Sequence, residues 1–389
     1  MMSTLDMSWC PTSLYVGRNV AGRVVASLVR DRTTMVITDA FNEHGAARLL
    51  AGGKNNTVIV EGPTLDSLER AHHAIGQQSP GAIVAVGGGT VMDSAKLASA
   101  LVASGRPFAQ FSRMLEGRGE HATRRGLRRS GSLVVAVPTT VGTASEVSPI
   151  ACVTTGGGHH LVSGDDLRPD FAVIDSANFD SLPSRKVRDG AFEVFMRIAA
   201  VGTSSGASPM VRRRAADLGV RLAQACVELV RDEAPAARLE IALIGAESKT
   251  SFTGYSSDPH AIQHWYLANE LAYAGAFSKV SATAALAPTV WRLLEEGNRR
   301  LGDDFAMVEF LAAVRRALPL GSAQASEWVS DFARYLSITL PAVTGDVADR
   351  AVDGCLRGWG GPNMALSEWD ARSIRAVYEG AISTRSLNA

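Results

Sequence analysis

One run, GAIVAVGGGTVMDSAK from Gly81 to Lys96, restricts the folds open to this chain more than any other. Ile83, Val84, Ala85 and Val86 are apolar without alternation, the pattern of a strand buried on both faces of a parallel sheet. Gly87, Gly88 and Gly89 follow at once, and Val91, Met92, Ala95, Leu97, Ala98 and Leu101 then recur at helical spacing. The glycines therefore lie where a strand feeds a helix N-terminus. Unpaired amides and the positive end of the helix dipole face such a turn, and residues without a Cβ let a diphosphate approach the backbone. A plain tight turn would use the same glycines. Context favours the anion site, because Asp93 and Lys96 (with Thr90) occupy the first two helical turns and a loop of similar character begins at Pro138.

The chain on either side has the rhythm of an α/β domain. Residues 12–17 suit an edge strand, Val20 to Val29 a helix, and Thr34 to Thr38 a buried strand that ends at Asp39. A carboxylate just past a strand's C-terminal end can accept bonds from a ribose diol and would repel a 2′-phosphate; it can equally cap the segment that follows. Thr57 to Val60 predicts a strand and Leu65 to Ile75 a helix, so strand and helix alternate and the sheet is expected to be parallel with helices on both sides. Ser132 to Val137 predicts another strand, and PTTVGTASE follows from Pro138. Thr139, Thr140, Thr143 and Ser145 place hydroxyls beside a glycine turn, equipment for holding phosphate and ribose from the side opposite the first loop. DFAVID, ending at Asp175, is a last strand.

Between Arg106 and Ser130 the apolar pattern fails and Arg113, Arg118, Arg124, Arg125, Arg128 and Arg129 gather. A solvated surface loop explains them, and docking of an anionic or peptide partner is the functional alternative. After Leu182-Pro183 the chain reads as helices, with helical spacing over Val211 to Val230, Leu239 to Ala246, Ala282 to Leu294 and Ser326 to Leu336, and with Ser367 and Asp370 set as a capping box. The expected division is an α/β domain over 1–184 and an all-helical domain over 185–389.

Composition narrows the class of partner. Thirty-nine basic residues balance thirty-nine acidic ones, so no global field argues for nucleic acid or a membrane surface. Cys10, Cys152, Cys226 and Cys355 are scattered without a CxxC pair, which reads as reduced thiols in a cytoplasmic protein. No run approaches eighteen uninterrupted apolar residues, and neither an export segment nor an anchor is expected.

GGGTVMDSAK and PTTVGTASEVSP resemble the paired cofactor loops of the iron-dependent alcohol dehydrogenase superfamily, which includes glycerol dehydrogenase and is related to dehydroquinate synthase. The similarity extends through RPDFAVIDSANFDSLP and HAIQH, and so covers most of the chain. It implies NAD, or NADP, bound between the two loops by Asp39, Gly87, Gly88, Gly89, Thr90, Asp93, Thr139, Thr140, Thr143 and Ser145, with an alcohol or carbonyl facing the helical domain. Where the family commonly has a lysine near the nicotinamide ribose, this chain has His159 or His160.

The resemblance also implies a divalent metal held by a carboxylate and histidines, and there this chain departs from the pattern. The carboxylate position falls on Glu193, the histidine one helical turn later is Arg197, HAIQH supplies His260 at a ligand position and His264 near the nicotinamide, and the last ligand position is Lys279. A guanidinium and an ammonium only donate, so zinc or iron would have too few ligands, and no metal is expected. Blander readings stay open: Glu193 and Arg197 as an i,i+4 surface ion pair, and His260 and His264 as helix histidines behind an Asp258 cap and Pro259.

Arg197 and Lys279 could instead supply the positive charge that a metal would provide, with Glu193, His260 and His264 around them. Two cations facing a nicotinamide suit an alcohol that also bears a carboxylate. The narrower resemblance is to the dehydrogenases of daptide-type peptide biosynthesis, which implies oxidative decarboxylation of a C-terminal threonine of a precursor peptide. A small hydroxy acid or such a peptide terminus is thus the expected partner, in a homodimer or higher homo-oligomer. The alternatives are a conventional metal-dependent alcohol dehydrogenase and a non-catalytic cofactor-binding scaffold that serves a partner protein.

Overall fold

The computed structural model describes residues 10–49, 56–116, 121–122, 127–250, 262–321, 323–362 and 364–383. They form two compact units, one running from Cys10 to Pro183 and the other taking in the chain from Ser184 onward.

The first unit is built on a six-stranded parallel sheet. Its strands are β1 (Ser13–Gly17), β2 (Thr34–Thr38), β3 (Asn56–Ile59), β4 (Ala82–Gly87), β6 (Leu133–Pro138) and β9 (Phe171–Asp175), in the order β1-β9-β6-β4-β2-β3. Every pairing is parallel. The helices are α1 (Ala21–Leu28), α2 (Glu43–Leu49), α3 (Leu65–Gln78), α4 (Gly89–Ala103) and α5 (Phe108–Glu116). Successive strand residues point to opposite faces, and both faces are covered. Met35, Ile37, Ile83, Ala85 and Ala136 pack with α3 and α4, while Val36, Val84, Val86, Val135 and Val137 pack with Ala21 and Val25 of α1. Continuous apolar runs rather than alternating ones are what a sheet covered on both faces requires.

The winding of the sheet places the site. From β2 the chain moves outward to β3, and from β4 it moves the other way to β6, so the connections diverge between β2 and β4. A crevice opens beyond the carboxyl ends of strands at such a point. Asp39 follows β2 and Gly88 follows β4, which puts the two most informative sequence positions side by side.

Two parts of this unit differ from the sequence-based expectation. The Arg106–Ser130 stretch is not all loop: α5 buries Phe111 and Leu115 against the α3–α4 side, a spacing of four that its surrounding arginines conceal. The Arg129 guanidinium is paired with Asp170; Arg118, Arg124 and Arg125 lie outside the described residues. Further on, β7 (Ile150–Thr155) and β8 (Gly158–Ser163) form an antiparallel hairpin across Gly156-Gly157, and the short β5 (His121–Ala122) pairs with β8. A Gly-Gly pair between β-rich runs is a hairpin signature that periodicity alone passes over.

In the helical unit α6 (Ser184–Thr203) is buried on nearly every side from Gly190 onward, the mark of a core helix. Around it stand α7 (Pro209–Asp232), α8 (Pro235–Thr250), α9 (Gln263–Gly275), α10 (Lys279–Glu295), α11 (Asp304–Ala317), α12 (Ala325–Tyr335), α13 (Gly345–Trp359) and α14 (Ala371–Ser383). Phe195 of α6 lies 4.6 Å from the Phe332 ring and 5.5 Å from Trp328, so large aromatic surfaces fill the centre. The capping box near the end sits one turn later than Ser367 and Asp370 suggested. Asp370 Oδ1 accepts from the Ser373 amide at 2.8 Å, and the Asp370 amide donates to Ser373 Oγ at 3.1 Å, which starts α14.

Candidate functional site: a nucleotide cleft and a buried arginine

A cleft of about 430 Å³ opens over the carboxyl ends of the sheet. Asp39, Gly88, Gly89, Thr90, Thr139 and Thr140 line it, each at a position where a strand has just ended or a helix has just begun. Gly88 holds the N-cap position of α4 with extended backbone (φ −79°, ψ −174°), and no side chain caps that end. The first amides of α4 are therefore left for an anion.

The three glycines have different reasons. A Cβ on Gly88 would stand 3.2 Å from Thr140 Oγ1, and one on Gly89 would stand 3.0 Å from Thr143 Oγ1. The glycine turn and the threonine loop touch, and neither position has room for a side chain. Gly87 serves packing instead, since its Cβ would stand 2.6 Å from Val91 Cγ2 and 3.0 Å from Asp39 Oδ2. A cradle of amides and hydroxyls with no space for a methyl fits a dinucleotide's diphosphate, which Gly88, Gly89, Thr139 and Thr140 would hold.

Asp39 caps the turn after β2 and still faces the cleft. Its Oδ1 accepts from the Asn42 amide at 2.9 Å, and the Asn42 side-chain amide reaches both carboxylate oxygens at 2.9 Å. The carboxylate thus caps the turn after β2 while still lining the cleft. Each carboxylate oxygen offers about two acceptor sites, so Oδ2, with one bond, retains a place for a ribose hydroxyl.

Asp93 and Ser145 are not among the residues that line the cleft, which departs from their reading as cofactor contacts. Asp93 is 8% exposed and Ser145 3%, and both turn inward to Lys96. Lys96 Nζ lies 2.9 Å from Asp93 Oδ1 and 2.9 Å from Ser145 Oγ. Ser145 Oγ donates to Asp93, and Asp93 Oδ2 accepts from the Cys152 amide at 2.9 Å. Thr143, at the exposed end of its loop, meets Gly89. His159 lies on β8 with its Nδ1 2.8 Å from Thr154 Oγ1, and His160, buried beside it, is bonded through Nε2 to Thr155 Oγ1 at 2.8 Å. Burial lowers the His160 pKa. The cleft wall includes residues that the motifs did not name: Phe41, Asn42, Glu61, Gly62 and Asn178. Each follows a strand's carboxyl end, and that rule is the signal that could have found them.

In the helical unit, Arg197 is 7% exposed, so the i,i+4 pair with Glu193 is not a surface ion pair. Arg197 Nη2 lies 3.3 Å from Glu193 Oε1, and Nη1 donates to Ser248 Oγ at 3.1 Å. Ser248 Oγ in turn donates to the Gly245 carbonyl at 2.6 Å. Lys279 opens α10, and its Nζ lies 4.1 Å from the Trp265 ring centroid, a cation–π contact. His264, in the first turn of α9, is 6% exposed, and burial pushes its pKa down to about 4. His260, Asp258 and Pro259 lie outside the described residues. The described residues do not fit a divalent ion: the Glu193 carboxylate is held by a guanidinium, Lys279 carries no lone pair while charged, and no group of three His, Cys, Asp or Glu among the described residues is placed to hold a metal.

Comparison with known proteins agrees with the first unit's architecture. Residues 11–176 match the family of iron-containing alcohol dehydrogenases. Phosphonoacetaldehyde reductase of Streptomyces viridochromogenes is 32% identical over 215 residues, which is 54% of this chain and 53% of that protein. The chain thus spans about half the length of that relative. NADH-dependent butanol dehydrogenase A of Thermotoga maritima superimposes with a TM-score of 0.80 at 15% identity, covering 98% of this chain and 99% of that one. Sulfoacetaldehyde reductase of Bifidobacterium kashiwanohense, solved with NAD+, gives 0.76 at 16% identity over 98% and 100%. The fold of both units is therefore the fold of those dehydrogenases. Among the described residues no helix is long and apolar enough to cross a membrane.

Proposed function

We propose that this chain is an NAD-linked oxidoreductase that oxidises a secondary alcohol bearing a carboxylate, and does so without a metal ion. The observation that carries the reading is the buried guanidinium of Arg197, anchored on Glu193 and Ser248 at a position where the resemblance requires a metal-binding histidine. A buried Arg held by a carboxylate and a hydroxyl is a fixed positive charge in a desolvated setting, which favours an anionic substrate.

Gly88, Gly89, Thr139 and Thr140 would hold the diphosphate and Asp39 the ribose, while Phe41, 80% exposed at the cleft wall, offers an apolar face to a flat base. Bound nicotinamide supplies the hydride acceptor. Arg197 and Lys279 would supply the positive charge that steadies an oxygen becoming anionic as hydride leaves. His264, neutral above about pH 4, positions or relays a proton rather than contributing charge. The hydroxyl proton leaves to a base as the C–H bond gives up its hydride, and a ketone forms. Where the carboxylate is β to that ketone, the C–C bond breaks to release carbon dioxide, and its electron pair takes up a proton at carbon.

A hydroxy acid such as the C-terminal threonine of a precursor peptide meets these demands. The names of two relatives support an anionic substrate, since phosphonoacetaldehyde and sulfoacetaldehyde each pair a carbonyl with an acid group. The test is to incubate chelator-treated protein with NAD and a panel of β-hydroxy acids, threonine-ending peptides and matched alcohols lacking the acid. NADH formation confined to the acids, with loss of carbon dioxide seen by mass spectrometry, is the expected result. Activity that requires added zinc or iron, or that prefers the alcohols without an acid, would overturn it.

A further inference from the structure

Lys96 is 2% exposed and lies on α4 below the two loops that form the cleft. A buried ammonium is costly unless oxygens surround it. Here four do: Asp93 Oδ1 and Ser145 Oγ at 2.9 Å, and the backbone carbonyls of Ser145 and Ser148 at 3.2 Å. Asp93 stands one helical turn before Lys96, so one partner comes from the glycine-turn helix and three come from the loop after β6.

Within that second loop the Val147 amide donates to the Ala144 carbonyl at 3.2 Å and the Ser148 amide to the Ser145 carbonyl at 3.4 Å, so the Ser145 carbonyl is shared with the ammonium. Gly142 has φ +111°, and Ala144 has φ +55°, a left-handed conformation that is unfavourable for a residue with a Cβ. Beyond this strained bend the carbonyls of Ser145 and Ser148 turn inward to the ammonium, while Asp93 Oδ2 fixes the start of β7 through the Cys152 amide. Thr140, upstream of the bend, and Thr143, inside it, rest against the places where Gly88 and Gly89 lack a Cβ. Five positions separate the Ser145 carbonyl from Thr140, which lines the cleft, so a shift at the first would be felt at the second.

We infer that Lys96 is a positioning residue for the cofactor: an internal cation that draws the threonine loop onto the glycine turn and so sets dinucleotide affinity without touching the dinucleotide. Asp93 neutralises that cation and orients it. The inference rests on reading the cleft as a dinucleotide site.

The experiment measures the dissociation constant of NADH by fluorescence, and the thermal transition, for the wild type and for Lys96→Met, Lys96→Gln and the double variant Lys96→Met/Asp93→Asn. The double variant removes both charges, leaves an amide that can still accept from Cys152, and guards against failure to fold from a lone buried carboxylate. Val25→Ala, in the core on the opposite sheet face, is the control for lost stability. The expected result is NADH binding at least about tenfold weaker in Lys96→Met and in the double variant, the scale for loss of charge-assisted bonds. Lys96→Gln, which can still donate to the two carbonyls, should fall between them and the wild type, and Val25→Ala should bind normally despite a lower transition. Binding within twofold of wild type in a folded double variant would overturn the inference, as would equal weakening in Val25→Ala at a matched loss of stability. A wild-type protein that does not bind NADH would instead overturn the reading of the cleft itself.

Discussion

Each unit buries an ion pair on a helix close to its candidate site, and the two pairs differ in form. Lys96 with Asp93 is a point charge enclosed by four oxygens, with side chains 1% and 11% exposed. Arg197 with Glu193 is a planar fork anchored on a carboxylate and a hydroxyl, and the Glu193 side chain keeps 24% of its surface. An enclosed ammonium with saturated donors organises backbone. A guanidinium has five donors aimed along fixed directions, so anchoring at Glu193 and Ser248 orients the rest of the fork. On the proposed reading, the first pair bears on affinity for cofactor and the second on turnover.

Breaking that division at its strongest point means removing the arginine. Arg197→Ala should lower turnover of a hydroxy acid by about 10²- to 10³-fold, the scale for losing one well-placed donor to developing charge. NADH affinity should stay near wild type, and zinc or iron should not restore the rate. Near-full activity in both Arg197→Ala and Lys279→Ala, measured by steady-state kinetics, would show that these cations are structural.

His264 sharpens the helical side of the comparison through pH. Its folded-state pKa is depressed to about 4 by burial, against an ordinary value near 6.5, so below pH 6.5 the unfolded chain binds the extra proton first. Stability is then full above about pH 6.5 and falls as the pH drops toward 4, by about 3 kcal/mol for this one group. Urea unfolding across that range should show a shallower loss in His264→Gln than in the wild type. Identical slopes would place the imidazole in a more polar setting than its burial indicates. His160 and His72, also lowered by burial, contribute in the same direction in both proteins and leave the difference intact.

On the cofactor side, Gly88→Val would drive a branched side chain toward Thr140, where even a Cβ stands at 3.2 Å. Calorimetry should show NADH binding at least about tenfold weaker in a variant that still unfolds cooperatively, the loss expected when helix N-terminal bonds to phosphate are pushed out of reach. The smallest effect belongs to Asp39. Because Asn42 already occupies three of its acceptor positions, Asp39→Ser should narrow a preference for NAD over NADP by only several-fold, about the value of one exposed hydrogen bond. A wild type that already prefers NADP in competitive binding would contradict the ribose role.

The parallel sheet, its buried strands, the glycine turn and the threonine loop were legible in the sequence, because each is announced by a local pattern: apolar runs, helical spacing and residues with no Cβ. Arg197 and Lys279 were legible only through the family resemblance, as residue types at positions where it implies metal ligands. What those residues touch was not. That Arg197 rests on Ser248, 51 positions away, that Lys279 lies over Trp265, and that Asp93 and Ser145 turn from the cleft toward Lys96 depend on how helices and loops distant in sequence are brought together. Local pattern encodes which face of an element is buried, whereas the partner of a buried charge is chosen by packing. A buried ammonium or guanidinium must find its oxygens wherever the fold supplies them, and only the tertiary structure decided where those were.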